Sequence, residues 1–294
     1  MANLRDIKRR IGSVKNTRQI TRAMKMVSGA KLKRAQERAE GAKPYAEALD
    51  RVLQRVVASA GEELSHPMLT SHDEVKTVRA IVIASDKGLC GSFNGGLLRK
   101  TRAWLEGEMG DKDVELAAFG KKARGAFDKH PGFKDATVDL KAPDFPSYAH
   151  DLAEAMIADF EQGEVQEVYL VYNRFDSVMT QTPVFVRLLP LDIASEDQAE
   201  VNTTAEAAPE VEYKYEPGGQ QLLDTLLPLQ LQTMILQGFF DSEAGEHASR
   251  MTAMDSATRN ASDLVDRLTL EYNRARQAAI TTEIIEIVSG AEAL

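Results

Sequence analysis

The sequence lacks the residues on which disulfide-rich proteins, metalloenzymes and membrane-spanning proteins depend. Its single cysteine, Cys90, excludes an internal disulfide and a cysteine-rich metal site, and it fits a reducing compartment. The five histidines show no paired spacing, and no HExxH motif occurs. No stretch approaches the roughly 18 uncharged apolar residues of a transmembrane helix. The basic segment 1–10 has no apolar signal core, and we expect it to belong to the mature protein.

A recognisable phosphate-binding motif is also missing. The segment 85–96 (SDKGLCGSFNGG) follows a predicted strand and opens a predicted helix, which is where phosphates often bind. It matches neither GxxxxGK[ST] nor GxGxxG, because Lys87 precedes the glycines instead of opening the helix. We therefore interpret the segment as a tight turn that needs a positive φ at Gly88 or Gly91.

No other grouping of reactive side chains is evident. Cys90 would act as a nucleophile only beside a histidine base, and the histidine spacing indicates none. Glu283 and Glu286 lie one helical turn apart, as acids do on many solvated helix faces. The sequence therefore predicts a non-catalytic protein with no cofactor and no metal.

Charge is distributed unevenly along this acidic chain, whose net charge is −9. Residues 1–34 contain eleven Lys and Arg against one acid, whereas the other 260 residues hold 25 bases and 44 acids. A basic end on an acidic protein indicates an acidic partner or a nucleic acid. It is also compatible with a basic helix that packs against an acidic helix of the same chain.

Both ends of the chain carry long helical patterns. Residues 3–58 contain one proline, Pro44, which we expect to bend the helix or to mark a local break. A second helix is predicted from about residue 228 to about residue 288, with Pro228 in its first turn. Apolar residues recur in both segments, and the spacings of four and three from Ala42 to Val56 and along the second helix are typical of helices that pack along one seam. The recurring residues are Leu4, Ile7, Ile11, Val14, Ile20, Met24, Val27, Ala42, Ala46, Leu49, Leu53 and Val56, and then His247, Met251, Met254, Thr258, Ala261, Val265, Leu268, Tyr272, Ala275 and Ala279.

The middle of the chain alternates strands with helices, which indicates a mainly parallel α/β sheet. The predicted strands are Thr77–Ser85, Val114–Phe119, Val165–Asn173 and Pro183–Leu191, and the predicted helices are Asn94–Met109, Lys121–Asp128 and Tyr148–Glu161. Residues 192–216 carry eight acids and one base, and they lack apolar periodicity over 202–209. We interpret this stretch as a surface loop.

Chain connectivity determines how the two long helices are arranged. The first helix enters the central domain at its C-terminal end and the last helix leaves the domain at its N-terminal end, so a paired arrangement is antiparallel. The predicted fold is therefore α/β, with a long antiparallel two-helix coiled coil formed by both termini and a central Rossmann-like domain with a mainly parallel sheet. The corresponding segments are 1–58 and 218–294 for the coiled coil, 75–191 for the domain and 192–217 for the acidic loop.

The coiled coil is too poor in large apolar residues to be self-sufficient. Its seam uses Ala, Thr and His where Leu, Ile or Val are usual. Several large apolar residues near the C-terminus lie off the seam instead: Ile280, Ile284, Ile285, Ile287 and Val288. We therefore expect another protein to surround this end of the stalk.

Three stretches resemble the gamma subunits of bacterial F-type ATP synthases. They are Ile11–Val27 (IGSVKNTRQITRAMKMV), Ser85–Asn94 (SDKGLCGSFN) and matching positions between Arg250 and Ala291 that include YNRARQAAIT. They occur in order, at both ends of the chain and in the central domain. The acidic loop at 192–216 shows the least similarity.

The resemblance implies a rotor shaft without an active site of its own. In that family the antiparallel stalk sits in a ring of alpha and beta subunits, and the head rests on the membrane c-subunit ring and binds the epsilon subunit. Proton flow turns the c ring and the shaft, which drives the beta sites through different nucleotide affinities. The lone cysteine excludes the redox-switched pair of chloroplast relatives. We expect a peripheral protein at the cytoplasmic face of a bacterial cell membrane.

Several residues match family positions that contact the ring. Met24, Lys25 and the turn from Lys87 to Cys90 match positions that face acidic lever loops of beta. Polar contacts with beta near the sleeve are expected from Arg276, Gln277, Thr281 and Glu283. The tip helix from Ile280 to Val288, which includes Ile284 and Ile287, is expected to turn in a largely apolar sleeve.

Two other classes remain as alternatives from the residues alone. A coiled-coil nucleic-acid-binding protein would use the basic N-terminal helix, but the basic residues surround most of that helix and base-stacking aromatic residues are absent from it. A small nucleotide-dependent α/β enzyme with a helical dimerisation arm would bind ATP as an isolated chain. We expect no nucleic-acid partner.

Overall fold

The computed structural model describes residues 4–60, 66–192 and 219–292. The predicted loop at 192–217 therefore lies almost wholly outside the described residues. The elements, in chain order, are α1 (Leu4–Ala60), β1 (Thr77–Ile83), α2 (Phe93–Gly107), β2 (Asp113–Phe119), α3 (Lys121–Phe127), β3 (Phe133–Thr137), α4 (Phe145–Glu161), β4 (Glu167–Phe175), β5 (Gln181–Leu189) and α5 (Gly219–Glu292). None of the described helices is long and apolar enough to cross a membrane.

The central sheet has the strand order β3-β2-β1-β4-β5, which confirms the mainly parallel α/β prediction. The strands β1 to β4 are parallel to one another, whereas β5 pairs antiparallel with β4. Pro183 is tolerated because β5 is an edge strand with one side free of ladder hydrogen bonds. The sequence prediction missed β3, because its residues FKDAT are largely polar and its position at the other edge buries little of them.

The helices α1 and α5 form an antiparallel pair. The cross-helix contacts run from Arg38–Glu243 through Lys25–Asp255 to Thr21–Thr258, so residue numbers on α5 rise as those on α1 fall. Because Thr21 lies opposite Thr258 and the two helices run antiparallel with the same rise per residue, Leu4 lies opposite about residue 275 of α5. The last turns of α5 therefore extend beyond the described part of α1.

The expected start of the last helix was wrong. α5 begins at Gly219, and Pro228 lies inside it instead of in its first turn. The helix starts earlier because Leu223 and Leu227 are fully buried in the main core, and this packing outweighs the hydrogen bond that the proline cannot make. α1 continues through Pro44 without a break, and the alternative that Pro44 bends the helix stays a prediction.

The head and the stalk share one hydrophobic core. On one face of the sheet, Ile81, Ile83 and Leu170 pack with α4 and with Phe239 of α5. α5 comes so close to β4 that a Cβ atom on Gly238 would lie 2.6 Å from Cδ2 of Leu170. The other face is covered by α2 and α3. α5 is therefore both a layer of the head and half of the stalk, which ties the two parts together.

Candidate functional site

The turn between β1 and α2 is held by an internal hydrogen-bond network. The backbone amide of Ser85 donates to Oδ1 of Asn94 at 3.0 Å, and Nδ2 of Asn94 donates to the Ser85 hydroxyl at 2.8 Å. Nδ2 of Asn94 donates to Sγ of Cys90 at 3.1 Å, and the Ser85 hydroxyl also donates to the carbonyl of Lys87 at 2.7 Å. Because Asn94 is buried at the start of α2, the turn is fixed to that helix.

The left-handed positions of this turn differ in part from those expected. Gly91 has a φ of 58°, as predicted, but Gly88 is not in the positive-φ region and Leu89 is, with a φ of 62°. A leucine rarely adopts this conformation, which places strain on the backbone. The result is a large apolar side chain that is 65% exposed at the end of the turn.

Cys90 is a buried structural residue. Its side chain is 2% exposed, and burial raises the pKa of its thiol above the ordinary value. Since the thiolate is the reactive form of cysteine, this environment disfavours nucleophilic chemistry.

Two of the predicted contact residues meet in one groove although they lie far apart in the sequence. Met24 on α1 and Lys87 in the turn line a groove of about 370 Å³ together with Val27 and Leu89. We call the surface formed by Met24, Lys25, Val27, Lys87 and Leu89 the neck. Its lysines differ, because Lys87 is exposed whereas Lys25 is half-buried and ion-paired with Asp255 on the other helix of the stalk.

A charged cluster on α5 lies directly behind the neck. Arg250 pairs with Glu246 at 2.5 Å, and its Nη1 lies 3.3 Å from Nδ1 of His247. Burial raises the pKa of the Glu246 carboxyl, with Arg250 partly offsetting the shift. Burial, together with the nearby cations Arg250 and Lys31, lowers the pKa of His247 to about 4. The imidazole is therefore uncharged at neutral pH.

The other predicted contact residues form a separate patch at the stalk tip. Ile284 is 55% exposed and Ile287 is 71% exposed. The remaining members are polar and also exposed: Arg276, Gln277, Thr281 and Glu283. Thr281 follows Thr258 by 23 residues, which places it roughly 35 Å along the helix from the neck. The structure therefore presents two distinct surfaces.

Part of the recurring apolar pattern in α1 is exposed. Ile20 and Val27, which belong to that pattern in the sequence, are 61% and 57% exposed. The buried positions beside them are Thr21 and Ser28, which face α5. Polar and small residues form the seam here because they let the helix backbones approach closely. A hydrophobic pattern does not reveal a seam of polar and small residues. The sequence analysis therefore did not identify Val27 and Leu89 as exposed residues of this surface.

The described part of the chain holds no group of three or more His, Cys, Asp or Glu residues that could bind a metal ion. A cavity of about 290 Å³ lies at the carboxyl end of β1 beside α5. Its acids already have internal partners: Glu243 pairs with Arg38 and Glu246 pairs with Arg250. Asp86 accepts hydrogen bonds from three backbone amides.

Comparison with known proteins gives a consistent result. A family model described as ATP synthase matches residues 3–294. The ATP synthase gamma chain of Magnetococcus marinus is 43% identical over 299 residues, covering 100% of this chain and 99% of that protein. The gamma chain of Pelotomaculum thermopropionicum is 45% identical over 296 residues, covering 100% of both.

Solved structures share the fold. A chain of the mitochondrial ATP synthase rotor of Euglena gracilis matches with a TM-score of 0.64 and 18% identity, covering 94% of this chain and 98% of that one. A chain of the Euglena gracilis assembly with the F1 part and c-ring matches with a TM-score of 0.66 and 19% identity, covering 99% of this chain and 94% of that one. At this identity the likeness concerns the fold alone.

Proposed function

The chain belongs to the ATP synthase family as a gamma chain, and from this membership we propose how its two exposed surfaces serve the enzyme. A gamma chain is a non-catalytic subunit: it forms the central rotor shaft that carries torque from the membrane c ring to the catalytic ring, and catalysis takes place on beta subunits. The resemblance found in the sequence is thereby confirmed.

The tip is proposed to turn inside the ring of alpha and beta subunits. The observation that carries this proposal is the exposed apolar end of α5, which extends beyond the described part of α1. Ile284 and Ile287 would face an apolar sleeve, where few directed polar bonds resist rotation. Arg276, Gln277, Thr281 and Glu283 would supply polar contacts to beta.

The neck is proposed to meet acidic lever loops of the beta subunits. Lys87 is exposed beside Leu89, and the N-terminal part of α1 is strongly basic. Such a surface has charge complementary to an acidic loop and a groove for an apolar side chain. Met24 and Lys25 would lie along the same contact, with Cys90 holding the turn from behind.

The head is proposed to rest on the c-subunit ring and to bind the epsilon subunit at the cytoplasmic face of a bacterial cell membrane. The support for these partners is family membership together with the position of the head, which lies at the opposite end of the stalk from the tip. The comparisons do not support the alternative of a nucleic-acid-binding protein, because the similarity to gamma chains covers the whole sequence.

Reconstitution with alpha and beta subunits tests the proposal. We expect one copy of the chain to co-purify with each ring of three alpha and three beta subunits, with ATP hydrolysis well above that of the subunits alone. A chain that stays free, or that binds ATP by itself, would contradict it. Asp263→Asn, a change on the exposed side of α5 away from both surfaces, serves as a matched control and should be captured normally.

A further inference from the structure

Two loops of the head are fastened to one short segment of α5. The first is the turn of residues 85–92 after β1, and the second is the hairpin loop of residues 176–180 between β4 and β5. Both lie at the carboxyl ends of adjacent parallel strands, on the edge of the sheet from which the stalk extends. We call the α5 segment that they contact, residues 245–253, the clasp.

Arg250 fastens the first loop. Its Nη2 donates to the carbonyl oxygens of Gly88 at 3.3 Å and Lys87 at 3.4 Å, and its Nε donates to Gly88 at 3.4 Å. The guanidinium is buried and is oriented by the ion pair with Glu246. A planar guanidinium suits two neighbouring acceptors, which a lysine ammonium satisfies less well.

Ser249, the adjacent residue on α5, fastens the second loop. Its hydroxyl donates to Oε1 of Gln181 at 2.6 Å. The amide nitrogen of Gln181 in turn donates to the carbonyls of Ser177 at 2.9 Å and Val178 at 3.1 Å. Gln181 therefore links the hairpin loop to α5 by hydrogen bonds, in addition to the packing of Val178 against the cluster that contains Ala244 and Ala248.

Close approach of the backbones completes the arrangement. A Cβ atom on Gly245 would lie 3.0 Å from Phe93 and 3.2 Å from Gln181, so this position contacts both loop regions. A Cβ atom on Gly91 would lie 3.9 Å from Cβ of Ala253. Small residues therefore let the loops dock directly against α5.

We propose that Arg250 and Ser249 are positioning residues that make the two loops of the head turn as one body with the shaft. Each loop carries one strongly exposed apolar side chain, Leu89 at 65% and Met179 at 77%. These side chains can transmit force to a surrounding protein only if the loops keep their positions relative to α5 under load. The clasp provides that stiffness, since it joins each loop to the helix that carries the torque. This inference rests on the proposed function of the stalk.

Cys90 offers a direct probe of the first loop. It is the only cysteine, it is buried in the turn, and its thiol is labelled only when the turn opens locally. In the full-length chain, Arg250→Ala should raise the rate of native-state thiol labelling by about tenfold or more, because two carbonyls lose a charged donor. Arg250→Lys should fall between Arg250→Ala and the unmodified chain.

The controls separate the clasp from general destabilisation. Ser249→Ala loosens only the hairpin and should leave the Cys90 labelling rate unchanged. Arg267→Ala removes an exposed arginine from the same helix and should also have no effect. Equal labelling rates in Arg250→Ala and the unmodified chain would overturn the proposal, as would an increase fully accounted for by a fall in global stability measured by urea unfolding. If Arg250→Ala fails to fold, the same comparison is made with Arg250→Lys.

The assembled enzyme tests the mechanical role. In reconstituted vesicles, Ser249→Ala combined with Arg250→Lys should lower ATP-driven proton pumping at least threefold more than ATP hydrolysis. An unchanged ratio of pumping to hydrolysis, in a ring that has captured the chain normally, would overturn the clasp and leave the shaft assignment intact. Failure of the unmodified chain to enter the ring would instead count against the proposed function.

Discussion

The ammonium of Lys25 lies 2.5 Å from a carboxylate oxygen of Asp255, joining the two helices of the stalk at the neck. The hydrogen bond from Lys25 lowers the pKa of Asp255, and Arg259 lowers it further. Both side chains are partly exposed, so water and salt screen the attraction. We infer that the pair contributes more to the register of the helices than to their stability.

Exchanging the two charges tests this role. Lys25→Asp alone places two acids opposite each other and should lower the thermal midpoint of the isolated chain, as should Asp255→Lys alone. The double exchange should recover most of that loss because the attraction is restored. Circular dichroism melts at low and high salt provide the measurement. Equal midpoints for the single and double variants would show that the pair is unimportant.

Two helical glycines should respond oppositely to alanine. Gly238→Ala introduces a Cβ atom 2.6 Å from Leu170, which is buried, and should destabilise the chain by about 1–3 kcal/mol. Gly41→Ala meets nothing within 4 Å and should stabilise it by about 0.5–1 kcal/mol, because alanine loses less backbone entropy in a helix. Urea unfolding of both variants checks the contrast, and a destabilised Gly41→Ala would contradict it.

Asp241 should make the folded chain less stable as the pH rises. Burial raises its pKa to about 6, although the Gln237 side chain, Lys43 and Arg174 favour the charged form. Because the folded pKa lies above the unfolded value, the folded chain binds the extra proton between about pH 4 and 6, and stability falls as pH rises through that window. Asp241→Asn should therefore stabilise the chain at pH 7.5 by up to about 3 kcal/mol.

The pH dependence of Asp241→Asn supplies its control. The substitution should add little stability at pH 4, where the Asp241 carboxyl of the parent chain is already protonated in the folded state. Its unfolding free energy, measured in urea from pH 4 to pH 8, should vary less with pH through this window than that of a chain carrying Asp241. An equal gain at both ends of the range would point to packing and not to charge.

His247 should make the folded chain less stable as the pH falls, the opposite of the effect of Asp241. Burial lowers its pKa to about 4, below the unfolded value of about 6.5. Its contribution is therefore fully present above pH 6.5 and is lost as pH falls toward 4. His247→Gln should remove this loss, so the difference in unfolding free energy between the variant and the parent chain should shift in favour of the variant on acidification. A pH-independent difference would refute the assignment.

The polar part of the tip should matter only in the assembled enzyme. Arg276 and Gln277 are exposed, so replacing both with alanine should leave the unfolding transition of the isolated chain nearly unchanged. We expect the double variant to weaken the coupling of ATP hydrolysis to proton pumping, or assembly with alpha and beta. Unchanged hydrolysis and pumping would remove these residues from the contact surface.

The apolar part of the tip calls for a separate test. Ile284 and Ile287 are exposed, so Ile284→Asn with Ile287→Asn should also fold normally. Loss of apolar contact should lower the recovery of the chain with the alpha and beta ring at limiting concentrations. Recovery equal to that of the parent chain would show that the sleeve does not depend on these two side chains.

Local sequence patterns predicted an element correctly where the element packs in one uniform environment along its length. The sequence predicted β1 from a β-branched apolar run, which is typical of a central parallel strand buried on both faces, and it predicted β4 from an alternating pattern. It predicted Leu49, Leu53 and Val56 as seam residues, and all three are buried. It failed at β3, whose edge position needs little apolar character. It also failed at Pro228, where contacts from distant residues override a local signal.

The sequence by itself determined the antiparallel order of the two long helices, since connectivity through one central domain permits no other pairing. It also determined the exposed apolar tip, because those isoleucines lie off the heptad seam. Only the tertiary structure brought Met24 to Lys87 and fastened two loops to Ser249 and Arg250. Such contacts depend on side-chain directions and close backbone approach across large sequence separations, which periodicity does not encode.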